Sequence, residues 1–236
     1  METSSGSIAS VLWPREPAPR RGPKPSLSRE QIAEAAIRLA DANGLDAVTM
    51  QSLAEQLARP KMSLYRYLPG REELIAFMAD QALGEPPKLT GLGWRSGLRE
   101  WAARAWPVFL AHRWLQAVMV GPRVFGPNEL GWMESALGAL ADSGLDQAEQ
   151  LDAVVLLSGH LRGMAAQEPA EGGGMGAESG SAALMSDLLI TNGEIFPLAA
   201  SAFAATRRDG RADQALEFGI DRILDGLEVL VERRRG

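Results

Sequence analysis

The chain has 236 residues, 46% of them hydrophobic, with no cysteine and a formal net charge of −6. That length buries a core and suggests one to two domains, while the lack of cysteine excludes disulfides, thiol nucleophiles and thiolate metal sites. No apolar run approaches a bilayer span and the N-terminus lacks the apolar stretch of a signal peptide, so a soluble, cytoplasmic protein without membrane partners is expected.

The charge is unevenly placed. Arg15 to Arg71 holds ten basic and six acidic residues, which leaves residues 72–236 with a balance of −9. A basic segment on an acidic body fits a DNA-facing head, because local charge sets the phosphate footprint.

Residues 1–27 contain Pro14, Pro17, Pro19, Pro23 and Pro25. They are expected to form a flexible basic arm without helix or buried surface. Its cluster Arg20, Arg21 and Lys24 stands just before the first helix, where such an arm reaches an adjacent minor groove. The alternative is a solvated tail.

Residues 28–84 follow as a compact helical head. Ser28 starts a helix with Gln31 placed for a capping box, Ile32, Ala36 and Leu39 form its apolar stripe, and Gly44 provides a left-handed stop. Thr49 caps a second helix that points Leu53 and Leu57 inward. Pro60 breaks the chain, Lys61 to Tyr67 form a third helix, and Arg71 to Leu83 a fourth, closed by Gly84, Pro86 and Pro87.

Two short helices across a tight break, the second with polar tips, form a helix-turn-helix, whose second helix enters the major groove. Leu53, Leu57, Leu64 and Leu68 hold the pair together. Lys61, Met62, Ser63, Tyr65, Arg66 and Tyr67 then face outward or lie at the rim. Lysine addresses guanine, serine several base edges and methionine a thymine methyl. Tyrosine hydroxyls and Arg71 suit phosphate oxygens. The alternative is a small bundle whose tyrosines only cap a core.

Residues 85–236 read as helical throughout, without alternating strand signals, so the fold class is all-α. Helices are expected over Trp94 to Ala111, Trp114 to Val120, Asn128 to Ser143, Asp146 to Gln167, Ala182 to Ile190 and Asp213 to Arg234, with a glycine-rich loop from Glu168 to Gly180. Trp101, Phe109, Met119, Phe125, Trp132 and Met164 supply apolar bulk, with His112, Arg123 and His160 as polar contacts among them. The set suits an apolar cavity for a small molecule, although each residue alone also suits core packing. Leu216, Ile220, Ile223, Leu227 and Leu230 step by four and three as a heptad-like seam. That seam packs either on its own domain or on a second copy.

Two histidines, with no HExxH and no Gly-x-Ser-x-Gly, leave little catalytic apparatus. The glycines at 172 to 176 follow a helix rather than a strand, so they form no dinucleotide loop. A helical interaction module without a DNA target is a further alternative, as is a small-molecule-binding protein or, more remotely, an enzyme.

The stretch "LSREQIAEAAIRLADANGLDAVTMQSLAEQLARPKMSLYRYLPGREELIAFMAD" resembles the DNA-binding domain of the tetracycline-repressor (TetR) family. "GWMESALGALADSGL" and "LSGHLRGMAAQE" are similar to the ligand-binding, dimerising domain of its tetracycline-repressor branch. The resemblance implies base contacts from Gln51, Lys61, Met62, Ser63 and Tyr65, and phosphate contacts from Thr49, Tyr67 and Arg71. It implies a ligand-responsive repressor that binds a near-palindromic operator as a homodimer and is released by a small, largely apolar inducer. The resemblance implies that the helix around Leu151 to Leu161, with Leu157 and Leu161, and the one with Leu216, Ile220, Ile223 and Leu227 pair with their symmetry mates in a four-helix dimer bundle. The family usually has glycine where this chain has Ala58, a small apolar residue at Arg59 and a polar cap at Pro60. The tetracycline-binding member uses a histidine after the fourth helix, where this chain has "GEPPK", so a different ligand, no metal and no cofactor are expected.

Overall fold

The computed structural model describes residues 2–14, 27–167, 184, 187–189, 191–209 and 214–235. Among these residues every regular element is helical. The chain divides into two compact units, Met1–Val154 and Val155–Gly236, a division that falls later than the boundary expected after Gly84.

The first unit begins with α1, Glu2–Leu12. This corrects the expectation that residues 1–27 form no helix and bury nothing. The prolines start only at Pro14, so the preceding residues are free to coil. The helix is stabilised by docking on α5, with Val11 and Leu12 buried. The Nε1–H of Trp13 then donates to the Phe125 carbonyl at 2.9 Å. Arg20, Arg21 and Lys24 lie outside the described residues.

Helix α2 spans Arg29–Asn43 and is opened by the expected capping box: Ser28 Oγ accepts from the Gln31 N–H, and Gln31 Oε1 from the Ser28 N–H. Gly44 takes φ 79°, a region that favours glycine. The buried face is Ile32, Ala33, Ala35, Ala36 and Ala40. Leu39 is only half-buried. Four alanines on this face let α3 and α5 approach closely. A 3₁₀ turn, Leu45–Ala47, leads to α3, Met50–Gln56, capped by Thr49. Next come α4, Lys61–Tyr65, and α5, Arg71–Leu83. Helix α4 ends two residues earlier than the sequence suggested, and Tyr67 lies beyond it.

The rest of the unit holds α6, Trp94–Ala111, α7, Leu115–Val118, and α8, Pro127–Leu140. Helices α6 and α8 pack closely because Gly97 has no side chain: a Cβ there would stand 2.8 Å from that of Ala139. Helix α9, Gln147–Gln167, runs into the second unit. That unit also contains α10, Pro197–Asp209, which the sequence reading lacked, and α11, Ala215–Arg235. Most of the helix expected over Ala182 to Ile190, and the glycine-rich loop, fall outside the described residues.

The tight break between α3 and α4 depends on Ala58, whose φ is 51°, the one positive value at a non-glycine among the described residues. The turn is closed by the Ala58 N–H on Glu55 O and the Arg59 N–H on Ala54 O. An L-residue in this region is strained by about 1–2 kcal/mol, partly offset by the extra freedom glycine has when unfolded. Ala58→Gly should therefore stabilise the protein, raising Tm by about 2–4 °C. A fall in Tm by calorimetry would contradict the strain assigned to this turn.

Candidate nucleic-acid interface and effector site

The two halves of the reading head are clamped by apolar contact. Leu53, Leu64 and Leu68 are fully buried and Leu57 is half-buried. This leaves Gln51, Lys61 and Met62 exposed, Met62 at 75%, with Ser63, Tyr65 and Tyr67 at the rim. The predicted DNA contacts on α3 and α4 are thus all at least partly open to solvent. Several of its members also have local partners. Gln51 Nε2 donates to Glu55 Oε1 at 2.7 Å, Ser63 Oγ to the Pro60 carbonyl at 2.6 Å, and Thr49 Oγ1 accepts from the Ser52 N–H as the α3 cap.

Arg71 makes contacts within the protein that its position in the sequence did not reveal. Its Nε donates to Val48 O at 3.0 Å and its Nη2 to Leu45 O at 3.1 Å. It braces the start of α5 against the 3₁₀ turn before α3, and so fixes the reading head on α5.

The aromatic residues expected around a ligand fall into separate groups. Trp101, Phe109 and Trp132 are buried, and the rings of Trp101 and Trp132 meet edge to face at 5.6 Å. Trp101 Nε1 donates to Trp132 O, and Trp132 Nε1 donates to Leu83 O at 3.1 Å and Gly84 O at 3.2 Å. Those two carbonyls belong to the end of α5. Met119 is half-buried and Phe125 exposed.

The polar candidates are bonded within the protein. His112 Nδ1 lies 2.9 Å from Asp41 Oδ1, and Trp114 Nε1 donates to the same oxygen at 2.7 Å. Nη1 and Nη2 of Arg123 both donate to the Glu129 carboxylate, and its guanidinium lies 4.6 Å from the centre of the Phe125 ring. In the second unit His160 Nε2 faces Leu216 O at 3.0 Å. Gly219 makes room for that ring, since a Cβ there would come within 2.2 Å of it. Met164 in the same helix is half-buried.

A cavity of about 510 Å³ lies beside the end of α5, lined by Leu83, Gly84, Glu85, Pro87, Lys88, Glu100, Arg104, Val108 and Trp132. Of the predicted ligand contacts only Trp132 lines it. The sequence reading also missed Gln116 on α7. Its Nε2 is buried with no hydrogen-bond partner among the described residues.

Of the predicted dimer residues, Leu157, Leu161, Ile220 and Leu227 are buried and Leu216 and Ile223 half-buried. The large apolar side chains left exposed on these helices are Leu151, Val155, Leu156, Phe218 and Val229.

The bonds from Arg71 to Val48 O and Leu45 O can be tested through stability. Arg71→Ala should lower both Tm and DNA affinity, the loss of two charge-assisted bonds costing about 1 kcal/mol or more. Lys61→Ala, with an exposed side chain, should leave Tm unchanged. Equal thermal melts for the two variants would contradict the bracing role.

A family model for bacterial regulatory proteins, tetR family, matches residues 32–77, and one for tetracyclin repressor-like C-terminal domains matches residues 86–231. The HTH-type transcriptional repressor DrrR1 of Streptomyces coeruleorubidus is 36% identical over an alignment that covers 100% of this chain and 91% of the relative. Among solved structures, apo ActR from Streptomyces coelicolor is similar with TM-score 0.72 at 25% identity, covering 89% of this chain and 99% of ActR. ActR in complex with actinorhodin is similar with TM-score 0.71 at 27% identity, covering 86% of this chain and 95% of ActR. With its helix-turn-helix head and all-helical body, the chain belongs to the TetR family and is a ligand-responsive, DNA-binding transcriptional regulator.

Proposed function

We propose that the protein is a repressor whose Lys61, Met62, Ser63 and Tyr65 read base edges from the major groove, with Gln51 at the edge of the same face. Thr49, Tyr67 and Arg71 hold phosphates. The observation that carries this reading is the exposure of the α4 tips above a buried Leu53–Leu64–Leu68 clamp, which presents one rigid face to DNA. Repression is favoured by the similarity to DrrR1, a named repressor. A homodimer reads a near-palindromic site because its two-fold axis repeats the head over inverted half-sites. The exposed Val155, Leu156, Phe218 and Val229 offer apolar surface for that association.

The effector is a small, largely apolar molecule, and the cavity beside Trp132 is its proposed place. Its volume lies within the range of small-molecule sites. Leu83, Pro87, Val108 and Trp132 give apolar contact, while Lys88 and Arg104 offer donors to an oxygen at the ligand's edge. Occupation there acts on the end of α5, which Trp132 holds by its indole N–H. An effector releases DNA only through differential affinity for the two body conformations.

Three outcomes follow. Lys61→Ala should lose about 1–3 kcal/mol of discrimination between selected and random duplexes, and an equal loss on both would contradict the reading face. Val108→Trp should fill the cavity and abolish the thermal shift given by a compound that raises the wild-type Tm, with operator affinity retained. A persisting shift would place the effector elsewhere, with the buried Gln116 donor as the next candidate. Val155→Glu combined with Phe218→Glu should yield a folded monomer by light scattering, and a persisting dimer would contradict the assigned association surface.

A further inference from the structure

We propose that Asp80 is the positioning residue that fixes the attitude of the reading head, by capping α8 from α5. This inference rests on the regulator reading above.

The first turn of any helix leaves backbone N–H groups without partners inside the helix. Helix α8 has no side chain of its own to satisfy them. Its N-cap is Gly126, with no side-chain cap bond, and Pro127 at the first position has no N–H to offer. The cap comes instead from another helix. Asp80 Oδ1 accepts the Glu129 N–H at 3.0 Å, from a residue 49 positions away, and the Asp80 carbonyl accepts from Asn128 Nδ2 at 3.0 Å.

The fit is close. Asp80 is only 4% exposed, and a Cβ at Gly126 would stand 2.2 Å from Asp80 Oδ1. Gly126 has an ordinary negative φ of −86°, so it is glycine to admit the carboxylate and not to allow the backbone conformation. Burial also holds the Asp80 carboxyl above its ordinary range, against the opposing backbone bonds. A buried acid with that cost, seated in a slot that excludes any side chain, is a specific registration contact.

The registration matters because of where α5 leads. Arg71 at its start braces the 3₁₀ turn below α3. Asp80 lies more than two turns further along the same helix. One helix is thereby fixed at one end to the reading head and at the other to the first turn of α8. The segment before α8 is held in turn by Arg123 on Glu129 and by the Trp13 indole on Phe125 O. With the cap gone, α5 can shift on α8, and the two heads of a dimer lose a fixed separation.

The test uses the full-length protein and duplex libraries in which two half-sites, selected with the wild type, are joined by spacers of varied length. The wild type should select one spacing. Asp80→Ala should accept several spacings and lose at least roughly fivefold in affinity for the preferred one, while its affinity for random duplex stays the same. Asp80→Asn retains the Oδ1 acceptor and should restore the single spacing, a rescue that a need for charge would not give. If Asp80→Ala does not fold, Gly126→Ala in the otherwise native chain displaces the carboxylate and should give the same relaxed spacing. A folded Asp80→Ala or Gly126→Ala variant with unaltered spacing and affinity overturns the proposal, as does an Asp80→Asn variant as relaxed as Asp80→Ala. A wild type that selects no sequence overturns the regulator reading together with this inference, whereas a selective wild type with an insensitive variant overturns this inference alone.

Discussion

Everything in the first unit depends on how α5 is held. It packs against α1, α2, α7 and α8, and Leu74, Met78, Phe77 and Leu83 lie buried along it. Apolar burial keeps it in place but is non-directional. Direction comes from hydrogen bonds at defined points: Arg71 at the start, Asp80 further along, and the Leu83 and Gly84 carbonyls at the end. A helix fixed in this way transmits a small movement as a rigid element, since packed interfaces switch between arrangements and do not bend continuously.

The head and the candidate effector cavity are connected through this helix. Asp41, near the end of α2, takes hydrogen bonds from Trp114 Nε1 and pairs with His112. The reading head is therefore also tied to the α6–α7 junction. His112, Arg123 and His160 suggested ligand contacts as sequence, whereas in the fold each is bonded to a protein partner. His112 and His160 link separate segments of the chain, and Arg123 holds the start of α8. The polar groups facing open space beside α5 are instead those of the cavity rim, among them Lys88 and Glu85.

Local features were legible in the sequence. The Ser28–Gln31 capping box, the Thr49 cap and the Gly44 stop depend on residues a few positions apart, and the Leu53–Leu64–Leu68 clamp on the apolar pattern of two adjacent short helices. Pairings across long intervals were not. Asp41 and His112 are separated by 71 residues, and no periodic pattern joins Asp80 to α8. The seam from Leu216 to Leu230 has Ile220 and Leu227 buried, yet periodicity alone does not say whether its own domain or a second copy covers that face. Helix α1 was missed because the prolines after Pro14 coloured the whole N-terminal segment, while the residues before them form a helix docked on α5.

A folded head that presents one face to DNA must discriminate between sequences. The most direct measurement of this is the ratio of wild-type affinities for a selected duplex and for random duplex, followed through a salt titration by fluorescence anisotropy. The account predicts a ratio of at least about 10³, with both affinities falling as salt rises because phosphate contacts release counterions. Equal affinity for the two duplexes, or binding indifferent to salt, would contradict it.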